Sequence, residues 1–319
     1  MPVEFSYSTL LVDMRGILVI ALILISAGCS VKRIAVNKLG NALASGGSSY
    51  ESDDDPDLVA DALPFSLKLI ESLLAESPKH QGLLLAASSG FTEYGRAFVE
   101  QRSDEAQKDN LDQSEAMRAR ARRLYARAHK YGMRGLEVSY PGIGKAIEDD
   151  PDAAMARVRK KDAALLYWAA ASLGLEISAS NVDPHMIVRL PVVDAMIQRV
   201  VELDEKWGEG AVPEFLISME SVRAGVSKEE MQKAMRGHFE RSLALSGGTR
   251  ASLFVSFAEN ACVPAQNRVE FRSMIDKALA IDPDLKPQYR LANLVAQRRA
   301  RWLLGRIDEL FLERGATNP

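Results

Sequence analysis

Four histidines, two cysteines and a few bunched acids are the residues of this chain that could do chemistry, and their spacing decides against most of it. His80, His129, His185 and His238 stand far apart, with no HExxH pair and no local spacing of the kind that closes a zinc site. Gly142-Ile143-Gly144-Lys145 starts like a phosphate loop, but Ala146 follows the lysine and no apolar strand leads into it. Asp53-Asp54-Asp55 and Glu148-Asp149-Asp150 run into Pro56 and Pro151, where acids favour a helix N-terminus over a bound cation. No GxSxG occurs, and Cys262, in Asn260-Ala261-Cys262-Val263-Pro264, reads as a small buried hydrophobe. The basic group Arg298, Arg299, Arg301 and Arg306 is followed by Asp308, Glu309 and Glu313 and lacks interleaved aromatics, so it reads as a solvated helix face. These residues predict no enzyme, no cofactor, no metal and no nucleic-acid partner.

The other cysteine has a stronger context. Gly16 to Ile25 is an uncharged apolar run, too short to span a bilayer but suited to a signal-peptide core, and Ser26-Ala27-Gly28-Cys29 follows it. That tetrapeptide resembles the lipobox of bacterial lipoproteins, which implies cleavage before Cys29 and a lipid-anchored mature chain. Residues 1–28 then form the signal segment, with Met14-Arg15 as its expected start, because Glu4 and Asp13 fit a signal peptide poorly. Ser30, in place of an inner-membrane aspartate, favours the periplasmic face of the outer membrane. With only Cys262 left, no disulfide framework can form, and packing must supply stability.

The 319 residues are 47% hydrophobic and 26% charged, with a net charge of −3, enough to bury a sizeable core. Strand alternation is almost absent and helical spacing recurs, so the fold class is all-α, with roughly eight to eleven helices. Residues 29–55 are expected to hold the lipidated Cys29 and an N-terminal helix or linker, and 56–319 the TPR-like helical domain. Helices are expected at about 56–76, 79–101, 113–131, 161–177, from Pro191 onward, 228–245, 267–281 and 287–313. Ser227 should cap the sixth of these and Gly247-Gly248 end it. Ala278-Leu279-Ala280-Ile281-Asp282-Pro283 looks like the tail of a tetratricopeptide repeat, so the helices read as stacked TPR-like hairpins. Tyr167, Trp168, Trp207 and Trp302 either fill cores or line a pocket. Asn293 and Gln297, at i and i+4, are either a helix-to-helix hydrogen-bond pair or polar fixtures in a cleft.

Several stretches in order resemble the TatT family, the helical lipoprotein T components of TRAP transporters. They are Leu124-Tyr125-Ala126-Arg127-Ala128 with Tyr131-Gly132, Ala164-Leu165-Leu166-Tyr167-Trp168, Leu190-Pro191 with Val200-Val201-Glu202-Leu203-Asp204, His238-Phe239-Glu240-Arg241-Ser242-Leu243, and the run from Leu291 to Leu304. The resemblance implies a periplasmic, lipid-anchored protein that can trimerise, surrounds a pore and pairs with the transporter's periplasmic substrate-binding protein. It also implies a hydrophobic or carboxylate ligand. Glu205 stands where the family tends to a proline, and Arg223-Ala224-Gly225-Val226 where a Gly-Gly pair is common. The rivals are a TPR-like scaffold lipoprotein for envelope assembly with no small-molecule ligand, and a helical cell-wall hydrolase whose general acid would be a buried glutamate.

Overall fold

The computed structural model describes residues 37–42, 50–180, 183–223 and 225–312. The expected signal segment with Met14, the expected anchor Cys29 and part of the expected linker lie outside them. All regular structure among the described residues is helical, so the all-α expectation holds.

Helix α1 (Pro56–Glu76) starts where the acids and proline place it: the Asp55 carboxylate accepts from the backbone N–H of Asp57 and Leu58, and Pro56 sits at the first turn. Helix α2 (Gln81–Tyr94) is capped by the His80 ring, passes into a π-helical turn (Gly95–Glu100) and continues as α3 (Gln101–Ala106). Helix α4 (Leu111–Ser139) outruns its expected end at about residue 131, because Gly132 and Gly135 serve packing and not termination. A Cβ at Gly132 would lie 2.8 Å from the Cβ of Ala169, and one at Gly135 would lie 2.6 Å from Leu165. Both partners belong to α7 (Ala163–Ser178), which closes directly on α4.

Between them lie α5 (Ile143–Asp149) and α6 (Pro151–Ala156), two short helices not anticipated individually, with Asp150 capping the second. The rejected phosphate-loop fragment is the start of α5. After α7 come α8 (Pro184–Ile187), α9 (Leu190–Asp204), a 3-10 turn at Trp207–Gly210 and α10 (Ala211–Glu220). Helix α11 (Lys228–Ser246) carries the expected N-cap as a reciprocal capping box between Ser227 and Glu230, and Gly247 ends it at φ 64°. Helix α12 (Ala251–Phe257) runs into a second π-helical turn (Ala258–Cys262), followed by α13 (Arg268–Leu279), α14 (Arg290–Gly305) and α15 (Ile307–Leu310). The last helical region is therefore broken at Gly305-Arg306, and Phe311 reaches the core as extended chain, its ring 5.1 Å from that of Phe271.

Three cores follow one another along the stack. The first is built by α1 to α4, the second by the end of α4 with α7, α9 and α10, and the third by α11 to α14. Helix α14 then returns to the beginning: Leu291 and Val295 pack against the first core. Arg290 donates to the Ser52 carbonyl at 3.2 Å, Arg298 meets Asp57 at 2.9 Å and Arg299 meets Asp104 at 2.7 Å. These contacts join the last helices to the first, so the stack closes on itself. No described helix is long and apolar enough to cross a membrane.

Candidate ligand-binding interior

The closed stack turns one face of several helices toward one another. On α2 and its π turn that face carries Leu85, Ser89, Glu93, Arg96 and Glu100, none of which is buried. Glu93 is exposed to solvent, yet burial pushes its carboxyl up to about 7, with Glu51 adding to the shift and Arg250 opposing it. Water reaches this side chain while low-dielectric protein surrounds it, the environment of a concave surface. Glu93 has no hydrogen-bond or ion-pair partner among the described residues.

Arg96, one turn on, is in the same situation. Its side chain is 47% exposed, and Glu100 at 3.0 Å holds its guanidinium firmly charged against the cost of burial, with Glu259 and Asp104 helping. Glu259 lies in the second π turn and accepts from Arg299 of α14. Arg96 of the first π turn and Glu259 of the second therefore attract each other. π turns break the i to i−4 ladder locally and are frequent at functional sites. Gly95 opens the first because Tyr125 packs against it: a Cβ there would lie 2.7 Å from the ring. The Tyr125 hydroxyl donates to Glu100, which fixes that carboxylate beside Arg96.

An aromatic wall adjoins this charged face. The Tyr167 ring lies 5.1 Å from Trp168, 4.3 Å from Trp207 and 6.2 Å from Phe215. Trp207 is placed by a turn in which Gly208, Glu209 and Gly210 all have positive φ, and a Cβ at Gly210 would meet the Ser242 carbonyl at 2.8 Å. Arg250 ties the turn to α10: it donates to the Gly208 carbonyl at 3.1 Å and to Glu214 at 3.0 Å, and it lies over the Tyr289 ring. Burial opposes its charge, but Glu214 and Tyr167 more than restore it. The Tyr167 hydroxyl is pushed up by burial, with Glu214 and Glu93 adding to the effect, so the aromatic wall and the carboxyl of α2 share one electrostatic neighbourhood.

Of the six residues singled out in the sequence, Tyr167, Trp168 and Trp207 come together here. The others sit elsewhere. Trp302 is sandwiched between the guanidinium groups of Arg299 and Arg306, 4.4 and 4.7 Å from its ring centre. Asn293 is buried and spends its amide on backbone, accepting from Ala251 N–H at 2.9 Å and donating to the Thr249 carbonyl at 3.0 Å. Gln297 donates to the Ala278 and Ile281 carbonyls at the end of α13. Neither amide bonds the other, so the pair are helix-end fixtures. Glu93, Arg96, Glu214 and Arg250 went unmarked in the sequence, where mixed-charge helix faces look solvated. The spacing of Glu93, Arg96 and Glu100 on one face was visible, but the closure that encloses it was not. Cys262 is buried as expected, and burial pushes its thiol up to about 12, out of the range of a nucleophile. The four histidines do not gather: among the described residues no group of His, Cys, Asp and Glu could hold a metal ion.

The closed helical stack thus brings the charged face of α2 and the aromatic cluster around Tyr167 into one electrostatic neighbourhood. The family model for the TRAP transporter T-component matches residues 52–311, nearly the whole described fold. This chain belongs to the TRAP transporter T-component family. The resemblance read from its residues is thereby shown, and the T component has an accessory role associated with a TRAP transport system. A protein of Treponema pallidum (strain Nichols), described as uncharacterized, is 29% identical over 308 residues, covering 91% of this chain and 95% of its own. Glu205 of this T component makes a two-bond pair with Arg241 of α11.

Proposed function

We propose that this T component is a non-catalytic accessory lipoprotein, anchored through Cys29 at the periplasmic face of the outer membrane. In this reading it binds the periplasmic substrate-binding protein of a TRAP transporter and handles that protein's ligand in its own interior. The observation that carries the reading is the family match over residues 52–311. The interior supports the ligand-handling part. An amphipathic carboxylate would lay its apolar body on Tyr167, Trp168 and Trp207. Its charged end would meet the half-exposed Arg96, with Glu93, protonated about half the time near pH 7, as hydrogen-bond donor. Assembly into a trimer belongs to the same proposal and would set several such interiors side by side.

The test is a pull-down of the full chain from envelope extract, with mass spectrometry of proteins and small molecules together. A TRAP substrate-binding protein in the eluate, with a carboxylate or apolar ligand lost from the Trp168→Ala/Arg96→Ala variant, is the expected result. Reproducible recovery of envelope-assembly factors and no substrate-binding protein would replace this reading with that of a scaffold.

A further inference from the structure

The outer side of α4 carries Arg120, Arg123, Arg127, Lys130 and Arg134, spaced three and four residues apart on one face, with no α4 acid between them; Glu71 of α1 reaches in from beside the row, 3.7 Å from Arg127, and accepts from the Tyr131 hydroxyl at 2.7 Å. The row runs about 21 Å along the helix. Arg120, Arg127 and Arg134 lie over the rings of Tyr94, Phe91 and Tyr131, at 5.7, 5.3 and 5.3 Å, which holds their guanidinium groups in place. Arg123 and Lys130 are exposed and have no hydrogen-bond or ion-pair partner among the described residues. Between Arg127, Lys130, Tyr131, Arg134 and Glu71 lies an open recess of about 420 Å³. A preorganised row of cations beside an open recess fits phosphate groups spread over a surface better than a single small anion.

The position of the row says which surface. Arg134 donates to the Pro78 carbonyl at 3.1 Å, at the α1–α2 turn. The stretch 37–42 docks on the same turn: the Asn37 side chain accepts from Ser77 at 2.9 Å, and the Asn37 carbonyl lies 3.4 Å from the His80 ring. Cys29 is eight residues before Asn37, and eight residues span at most about 28 Å. A lipid on Cys29 therefore holds the C-terminal end of the basic row close to the bilayer.

We infer that the α4 row of Arg120, Arg123, Arg127, Lys130 and Arg134 is the membrane-facing side of the protein and binds the phosphates of anionic phospholipid headgroups. This rests on the reading of Cys29 as the anchor. The row sets the orientation that a single-point tether leaves free, and with it the direction in which the interior opens. Each cation held at an anionic surface strengthens binding about fivefold.

The experiment uses the full chain, purified from its membrane and reconstituted in vesicles with or without phosphatidylglycerol, with a fluorophore at Ala119→Cys beside the row or at Val269→Cys on α13. The native Cys262 is buried and does not compete for the label. Headgroup-borne quencher should quench the Ala119→Cys probe only in phosphatidylglycerol vesicles and leave the Val269→Cys probe bright. Adding Arg123→Gln and Lys130→Gln should weaken the anion-dependent docking about 25-fold. Mass spectrometry of the same preparation reports whether Cys29 carries a diacylglycerol, so the anchor is judged separately. An acylated protein whose Ala119→Cys probe stays bright, or is quenched equally without phosphatidylglycerol, overturns the proposal while the anchor stands. A probe shielded only when an acidic partner protein is added overturns it in favour of a protein interface. If Cys29 is unacylated, the anchor reading fails, and binding of the protein to phosphatidylglycerol vesicles, present or absent, decides the row by itself.

Discussion

Two charged helix faces, the inner one of mixed sign on α2 and the outer one all basic on α4, both space their charges three and four residues apart and behave in opposite ways. On the inner face Glu93, Arg96 and Glu100 answer to partners from distant parts of the chain, Arg250 and Glu259 among them, and burial has moved the Glu93 carboxyl to about 7. On the outer face Arg123 and Lys130 have no partner among the described residues and stand in open solvent. The difference teaches that what makes a charged face a site in this protein is what the fold places opposite it. The inner charges are set against one another by closure of the stack, whereas the outer ones await a surface from outside the molecule.

That contrast can be broken most directly at Arg250. Arg250→Ala would remove the partner of Glu214 and the bond to Gly208, leaving a carboxylate that is only 14% exposed without its cation. Stability by urea denaturation should fall by about 3 kcal/mol. A loss within about 0.5 kcal/mol, the range of ordinary surface substitutions, would show the interior to be as well solvated as the outside.

Next in size is the opposite side of α4 from the basic row. His129 bonds the Ala169 carbonyl at 2.8 Å, and burial lowers its ring pKa from 6.5 to about 4, with Arg189 adding to the effect. The folded form therefore resists the proton that the unfolded chain accepts. Stability is full above pH 6.5 and is lost as pH falls from there toward 4, by roughly 2 to 3 kcal/mol. Denaturant midpoints across that window should show the slope in the native chain and a flatter line in His129→Gln. An unchanged slope would assign the acid loss to other groups.

Glu93 has the reverse sign and a smaller expected effect, because water reaches it. Its carboxyl is raised in the folded state, so the fold is favoured while Glu93 is protonated, and that contribution fades as pH rises through the interval from 4.5 to about 7. Glu93→Gln should remove this slope and raise stability slightly at pH 8, and carboxylate ligands should lose their pH dependence of binding with it. A carbonyl stretch in the infrared difference spectrum that titrates near 4.5 would place Glu93 in open solvent and end the comparison. The smallest effect belongs to Arg123→Ala, expected within about 0.5 kcal/mol of the native protein in thermal unfolding, since that exposed side chain makes no hydrogen bond or ion pair among the described residues.

Much of the fold could be read from residues alone. Pro56 after three aspartates, Ser227 with Glu230, and Gly247 each mark a helix end by a local rule, and the helices start and stop there. Local rules misled at Gly132 and Gly135, which look like terminators and instead let α7 approach, because a missing Cβ reads the same in sequence whichever purpose it serves. The short helices α5, α6 and α12 carry too few turns to show a periodicity. Within the candidate site, Tyr167, Trp168 and Trp207 stood out as large amphipathic rings. The amides of Asn293 and Gln297 stood out as well, yet their partners are backbone groups at the ends of other helices, which no spacing within α14 reveals.

The sequence by itself determined the helical class, most helix boundaries, the burial of Cys262 and the membership of the T-component family, because each rests on neighbours a few residues apart or on the order of many such stretches. Only the tertiary structure decided that α14 returns to α1, and thereby which charged face is enclosed. Arg299 and Asp104 meet across almost two hundred residues, and the Glu93 carboxyl is lifted by burial, with Glu51 adding to the shift and Arg250, more than a hundred and fifty residues away in sequence, opposing it. A dielectric environment belongs to a place in space, and a chain acquires such places only when it closes.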